Sequence, residues 1–187
     1  MMAPEEQARA NLYGLLARLL YAPPDAGLLQ AMAGETFDGE LAEPWDNLKR
    51  AAAAADPEAV REEYETAFIG TGKAPVTLYT SAYSIRFSNE VPLAQLRSEL
   101  ARLGLSRRAE AREPEDHIAA LCDVMRHLVA KQQDLEEQHR FFHRWLAPAA
   151  EPLCVAIDRS AATDFYKHVA RFAHAFLSLE RRAFEML

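Results

Sequence analysis

Along most of the chain, apolar residues recur every three or four positions, the spacing of one face of an α-helix. That period predicts helices near 4–21, 43–55, 57–69, 77–87, 90–104, 114–134, 135–147, 149–159 and 162–185. Ile118, Leu121, Cys122, Met125, Leu128 and Val129 form a complete apolar stripe on one of them. On the last, Phe165, Val169, Phe172 and Phe176 make one ridge with Tyr166, Ala173 and Leu177 beside it, so this helix is expected at the centre of a core. Nothing alternates with the period of a half-buried strand, β-branched runs are absent, and only seven glycines occur. The expected fold is all-α, one globular helical domain over 1–187 with about nine helices by this period.

Proline and glycine punctuate the pattern. "YAPPDAG" and "ADPE" mark breaks between the early helices, and "FIGTGKAPVTLYTSAY" places Gly70, Gly72 and Pro75 in a loop before Leu78. "GLSRRAEAREPEDH" is charged and weakly patterned, so the stretch near 105–113 is expected to be an exposed connector between N- and C-terminal helical parts. At its end Pro114 suits the first turn of a helix, and Glu113, Glu115 and Asp116 suit the positive end of its dipole. At about 100° per residue, Asp116 would point away from the apolar stripe and His117 would lie on its edge. Capping accounts for the acids as a group and leaves His117 unexplained.

Composition narrows the function classes. With 21 basic against 28 acidic side chains the net charge is −7, which argues against nucleic acid as the main partner and permits a basic one. Half the residues are hydrophobic, enough for a real core. Two cysteines make no disulfide framework, and Cys122 on its stripe reads as a small buried hydrophobe. No apolar run approaches the ~18 residues of a membrane span, and the start "MMAPEEQARA" is acidic, so a cytoplasmic protein without membrane insertion is expected.

Candidate chemistry is sparse. "GTGKA" suggests a phosphate loop, but Ala67 and Ala74 stand where the Walker pattern needs Gly and Ser or Thr. Glu136, His139 and His143 share a helix face with the Glu-x-x-His spacing of di-metal bundles, yet no second copy exists elsewhere, so no bound metal or other cofactor is expected. Asp116 and His117 are adjacent, and adjacent helical residues do not face one another, which weakens a catalytic dyad and the enzyme class with it. They fit better as a polar patch beside a groove. Tyr64 with Phe68 and Tyr79 with Tyr83 form two i, i+4 aromatic pairs flanking the glycine-rich loop.

These residues resemble the TorD-like (DmsD-like) chaperones of molybdoenzymes, a family related to the nitrate reductase delta-subunit assembly factors. "EPEDH" at Glu113 to His117 matches the family's Glu-Pro-x-Asp-His, and "YETAFIG" at Tyr64 to Gly70 is similar to its aromatic segment. "FFHRWLAPAAEPLCVAI" and "DFYKHVARFAHAFLSLE" resemble its closing helices. Ala67 departs from the usual leucine, and "LYTSAY" stands where some members carry tryptophans. The resemblance implies an all-helical chaperone that binds the twin-arginine leader of a molybdopterin-dependent catalytic subunit and holds it back from export until cofactor insertion. Under that reading Asp116 and Glu113 meet the guanidinium groups, which favour fork-like pairing with carboxylates. His117 orients a backbone or supplies a second polar contact, and Tyr64, Phe68, Tyr79 and Tyr83 line the apolar part. The alternative is a delta-type assembly subunit that binds the mature enzyme without reading a leader. Monomer and dimer are both compatible with the sequence.

Overall fold

The computed structural model describes residues 2–70, 72–84 and 92–186, and no strand occurs among them. Helix α1 spans Pro4–Tyr21 and α2 spans Ala26–Gly34; a short 3₁₀ turn, Gly39–Leu41, then leads into α3, Ala42–Ala54. Helix α4, Pro57–Tyr64, widens into a π turn over Glu65–Ile69. Next come α5 (Ser81–Ser84), α6 (Pro92–Arg102) and α7 (Ile118–Ala130). Helix α8, Leu135–Phe141, passes through a second π turn, Phe142–Leu146, straight into α9, Ala147–Arg159, and α10 closes the chain as Phe165–Glu185.

The all-α expectation holds, with four local corrections. Helix α2 was not anticipated: in "YAPPDAG" Asp25 is not merely part of a break but the N-cap of a new helix, its carboxylate accepting the Leu28 N–H at 2.7 Å. The helices expected over 135–147 and 149–159 run on as one, because the wider turn just before Pro148 replaces the regular ladder that proline would break. Of the helix expected at 77–87, Ser81–Ser84 is helical, and 85–91 lie outside the described residues. The helix expected to start at 114 starts at Ile118 instead, so Pro114 and the three acids precede it.

The chain forms two compact units, Met1–Ala17 with Leu78–Ala149, and Arg18–Thr77 with Ala150–Leu187. In the second unit α10 packs on α3 and α4, and α2 packs on α3. The ridge read from the sequence is buried as expected, with Phe165, Val169, Phe172 and Phe176 all inside. Trp45 of α3 meets Phe172 edge-on at 5.1 Å and gives its indole N–H to the Glu35 carbonyl at 3.1 Å, so its polar atom is satisfied. The Tyr64 hydroxyl donates to the Leu20 and Tyr21 carbonyls (3.1 and 2.8 Å), and the Tyr166 hydroxyl to the Leu19 carbonyl (2.9 Å). These are carbonyls of the last turn of α1, which have no partner within the helix. Gly70 ends the first π turn at φ +61°, where an added Cβ would stand 3.0 Å from the Ala74 Cα. Only glycine takes that conformation without strain.

In the first unit α7 packs on α8 and on the π turn that follows it. Its whole stripe (Ile118, Leu121, Cys122, Met125, Leu128 and Val129) is buried. Glu99 and Arg102 of α6 form an ion-pair network with Glu137 and Arg140 of α8, including Arg102 Nη2 to Glu99 Oε1 at 2.8 Å and Arg102 Nη1 to Glu137 Oε2 at 3.0 Å. The stretch 105–113 lies within this unit and is largely exposed.

Candidate functional site

The site is built where two extended segments of the first unit meet. Leu78 to Thr80 runs antiparallel to Asp116 to Ile118, with Tyr79 opposite His117. The Thr80 N–H donates to the Asp116 carbonyl at 2.8 Å, and the Ile118 N–H to the Leu78 carbonyl at 2.9 Å. The Thr80 hydroxyl adds a bond to the same Asp116 carbonyl at 3.0 Å. This pairing holds 116–117 extended and is the physical reason that α7 begins four residues later than its sequence suggests. His117 then becomes the N-cap: its Nδ1 accepts the Ala119 N–H at 3.2 Å, a role usually taken by Ser, Thr, Asp or Asn.

Burial decides the electrostatics. Asp116 is 7% exposed and His117 4%, so Asp116 does not point to solvent as the helical projection required. One Asp116 carboxylate oxygen, Oδ2, accepts the Ser81 hydroxyl; the other, Oδ1, is buried with no hydrogen-bond partner among the described residues. Glu115 repeats the pattern: Oε1 accepts Arg97 Nε–H at 3.1 Å, and Oε2 is buried without a partner among the described residues. For Glu115, burial is the largest influence and pushes its pKa up, but the Arg97 hydrogen bond, a backbone bond and the Arg97 and Arg107 charges outweigh it and hold the carboxyl below its usual range. The Glu113 carboxylate accepts the Tyr79 hydroxyl at 2.5 Å, and that bond, with some burial and the nearby acids, pushes the phenol up to about 12. Tyr79 therefore remains a donor throughout the physiological range. Burial lowers the His117 pKa against the opposing pull of Glu113 and Asp116, which keeps the ring neutral, as its cap role requires.

Four of the expected site residues, Glu113, Asp116, His117 and Tyr79, come together here. Tyr79 is exposed and sets its ring edge-on to His117 at 5.6 Å. Tyr83 is half-buried on α5, next to this corner in sequence. Tyr64 and Phe68 belong to the other unit, where they stack edge-on at 5.1 Å and 5.0 Å separates Phe68 from Tyr166. Tyr64 is buried with its hydroxyl committed, which makes it a core residue; Phe68 is half-buried. Sequence reasoning missed Ser81, Thr80, Glu115 and Arg97. The hydroxyl pair stood in plain view in "LYTSAY", but only the antiparallel pairing reveals what it serves.

Chemically the corner accepts hydrogen bonds. It offers carboxylate oxygens with unfilled capacity, held by hydroxyls, beside an exposed aromatic ring, and this suits a cationic, multi-donor group such as guanidinium. Elsewhere His139 and His143 stand edge to edge at 5.0 Å, and no group of three or more His, Cys, Asp or Glu able to hold a metal occurs among the described residues. Cys122 and Cys154 are both buried and in no disulfide, and burial pushes the Cys154 thiol up to about 12, which disfavours the reactive thiolate. No helix among the described residues is long and apolar enough to cross a membrane.

An all-α protein with a carboxylate-rich corner in front of a helix is the class that fold and site define. Comparison with known proteins is more specific. Residues 35–178 match the family described as nitrate reductase delta subunit. The chain is 27% identical to the chaperone protein TorD of Ferrimonas balearica over 96% of its own length and 91% of that protein's. It is 30% identical to TorD of Aliivibrio salmonicida over 61% of this chain and 59% of that one. A crystal structure from Archaeoglobus fulgidus, described as a candidate redox enzyme maturation protein, superposes with a TM-score of 0.58 at 22% identity, covering 92% of this chain and 93% of that one. That likeness supports the fold. The chain belongs to the nitrate reductase delta subunit family, the family of TorD-like molybdoenzyme maturation chaperones.

Proposed function

We propose that this protein is a cytoplasmic redox-enzyme maturation chaperone that binds the twin-arginine leader of a molybdoenzyme catalytic subunit and retains it until the cofactor is in place. The observation that carries the reading is the half-used carboxylate of Asp116, buried at 7% exposure with one oxygen bonded to Ser81 and the other unpartnered among the described residues. A buried acceptor without a partner costs free energy, about 1–3 kcal/mol, so folds rarely keep one without a use. A leader arginine supplies the missing donors, and the net charge of −7 favours the approach of a basic segment. Glu113, latched by the Tyr79 hydroxyl, is the second acid at the corner, and Tyr79 and Tyr83 offer aromatic surface for the apolar residues that follow the arginines. His117 acts by holding the start of α7, and with it Asp116, in register. Tyr64 and Phe68 lie in the other unit, where the burial of Tyr64 confines it to packing.

The family description keeps a second reading in play, a delta-type assembly subunit that recognises the mature enzyme. Both readings predict association with a molybdoenzyme subunit, and they part at the leader. Titration calorimetry against a synthetic leader carrying consecutive arginines and an apolar tail should give micromolar or tighter binding, about −8 kcal/mol. The same catalytic subunit stripped of its leader should bind at least tenfold more weakly. Undiminished binding of the leaderless subunit, with no uptake of the peptide, selects the assembly-subunit reading.

A further inference from the structure

Glu115 occupies the variable position of the Glu-Pro-x-Asp-His stretch, and its carboxylate is the neighbour of Asp116 in sequence. Its side chain is 12% exposed, against 54% for the Arg97 that reaches it. The two acids share one peculiarity: each has a buried oxygen with no partner among the described residues, Oε2 of Glu115 and Oδ1 of Asp116. Their other oxygens are occupied differently. Asp116 is held by a neutral hydroxyl, but Glu115 is held by an arginine of the protein's own α6. That arginine approaches through Nε at 3.1 Å, not through the two-pronged geometry that makes arginine–carboxylate pairs strong. Its long, exposed side chain gives up conformational freedom to stay there. The Glu115 hydrogen bond and charge, and then the Asp116 charge, all raise the Arg97 pKa, so the guanidinium lies in the field of both acids.

We infer that Arg97 is a built-in placeholder on the cation site: its guanidinium covers Glu115 in the empty protein and is displaced when an external guanidinium binds across Glu115 and Asp116. The inference rests on the leader-binding reading for the identity of the partner, and it adds Glu115 to Asp116 and Glu113 as an acid of that site and Arg97 as a residue that competes for it. The placeholder has a physical rationale. Adjacent carboxylates left bare would attract any cation, whereas an internal arginine with a single-bond grip yields only to a ligand that forms more bonds than it does. Specificity then comes from the difference between two arginines instead of from the acids alone. Removing Arg97 should accordingly strengthen binding, the opposite of what the loss of a contact residue does.

The test compares wild type, Arg97→Gln and Arg108→Gln, the last removing one exposed positive charge from the connector as a net-charge control. Each is titrated with the twin-arginine leader peptide and, separately, with arginine amide as a bare guanidinium probe. Arg97→Gln should bind both probes about two- to fivefold more tightly, the range an exposed ion pair can contribute, while Arg108→Gln stays at the wild-type value. Adding Glu115→Gln to Arg97→Gln should abolish the gain. In wild type, saturating peptide should shift the Arg97 Nε–H resonance in NMR spectra, which reports displacement without any substitution. Equal affinity for wild type and Arg97→Gln, an equal gain in Arg108→Gln, or a gain that survives Glu115→Gln each overturns the inference. If the leader does not bind but arginine amide shows the Arg97→Gln gain, the leader reading falls and the placeholder stands.

Discussion

Among the helices that begin beside a carboxylate, α10 and α7 use theirs in opposite ways. At the start of α10 the side chain of Glu63, carried by α4, accepts the Asp164 and Tyr166 N–H groups through Oε1 at 2.9 and 2.8 Å and the Phe165 N–H through Oε2 at 3.0 Å. Both of its oxygens are filled by the amide groups that a helix start leaves without partners. At the start of α7 the neighbouring acid is Asp116, and it does not cap: the His117 imidazole does that, and one Asp116 oxygen has no partner among the described residues. The contrast is what motivates the proposal that Asp116 serves a ligand while Glu63 serves the fold. A carboxylate whose lone pairs are spent inside the fold holds the fold together; one kept half-spent at a cost is available to a ligand.

The largest expected effect breaks the first half of that contrast. Glu63→Ala strands three amide groups of α10 and should destabilise the protein by about 2 kcal/mol, in the range of charge-assisted bonds and lost caps. Urea denaturation should show a lower midpoint with an unchanged slope. Glu63→Gln, which keeps acceptor oxygen but loses the charge favoured at a helix N-terminus, should lose less. A loss below about 0.5 kcal/mol for the alanine variant would mean that water replaces the cap at no cost.

Next in size is the imidazole cap. His117→Ala should cost about 1 kcal/mol, and His117→Asn, which restores an acceptor, should recover most of it. The wild type should also show a pH dependence that the Asn variant lacks. Burial lowers the folded-state pKa of His117, so its stabilising contribution is complete above the unfolded value of about 6.5 and is lost as the pH falls through the folded value. Comparing urea midpoints at pH 7.5 and 5.5 reads this directly, and a parallel decline in both proteins would assign the dependence to other groups. Smaller still is Tyr79→Phe, which frees Glu113 from an exposed hydroxyl and should change stability by no more than about 0.5 kcal/mol.

Legibility in the sequence followed the range of the interactions. Helices α1, α3, α4, α7 and α10 announced themselves through local periodicity, and the buried faces of α7 and α10 are the ones their apolar stripes indicate. Helix α2 hid behind its own N-cap, because Asp25 after two prolines reads as a turn. The start of α7 was misplaced for a different reason. Pro114 and three acids are locally ideal for a first helical turn, but the backbone bonds from Leu78 and Thr80 to Ile118 and Asp116 override that preference from nearly forty positions away. The same distance conceals Ser81 as the partner of Asp116, and a longer one conceals Glu63 as the cap of α10. The aromatic pairs show the limit of spacing arguments: Tyr64 and Phe68 do touch, yet what they build is a contact with Tyr166 inside the second unit.

The central claim, that Asp116 is kept half-satisfied for a guanidinium, is tested most directly by a double-mutant cycle in titration calorimetry. Wild type and Asp116→Asn are each titrated with the twin-arginine leader and with the same peptide carrying lysines in place of both arginines. The asparagine variant keeps the shape and the Ser81 contact while removing the charge, so it should lose about 1.5–3 kcal/mol of binding to the arginine peptide and much less to the lysine peptide, which cannot form the fork. Raised salt should narrow the difference between the two proteins, because screening acts on the charge that the variant lacks. Equal affinity of both proteins for the arginine peptide, with a coupling energy near zero, would contradict the account and leave Asp116 as a buried acid that only ties 78–81 to the start of α7.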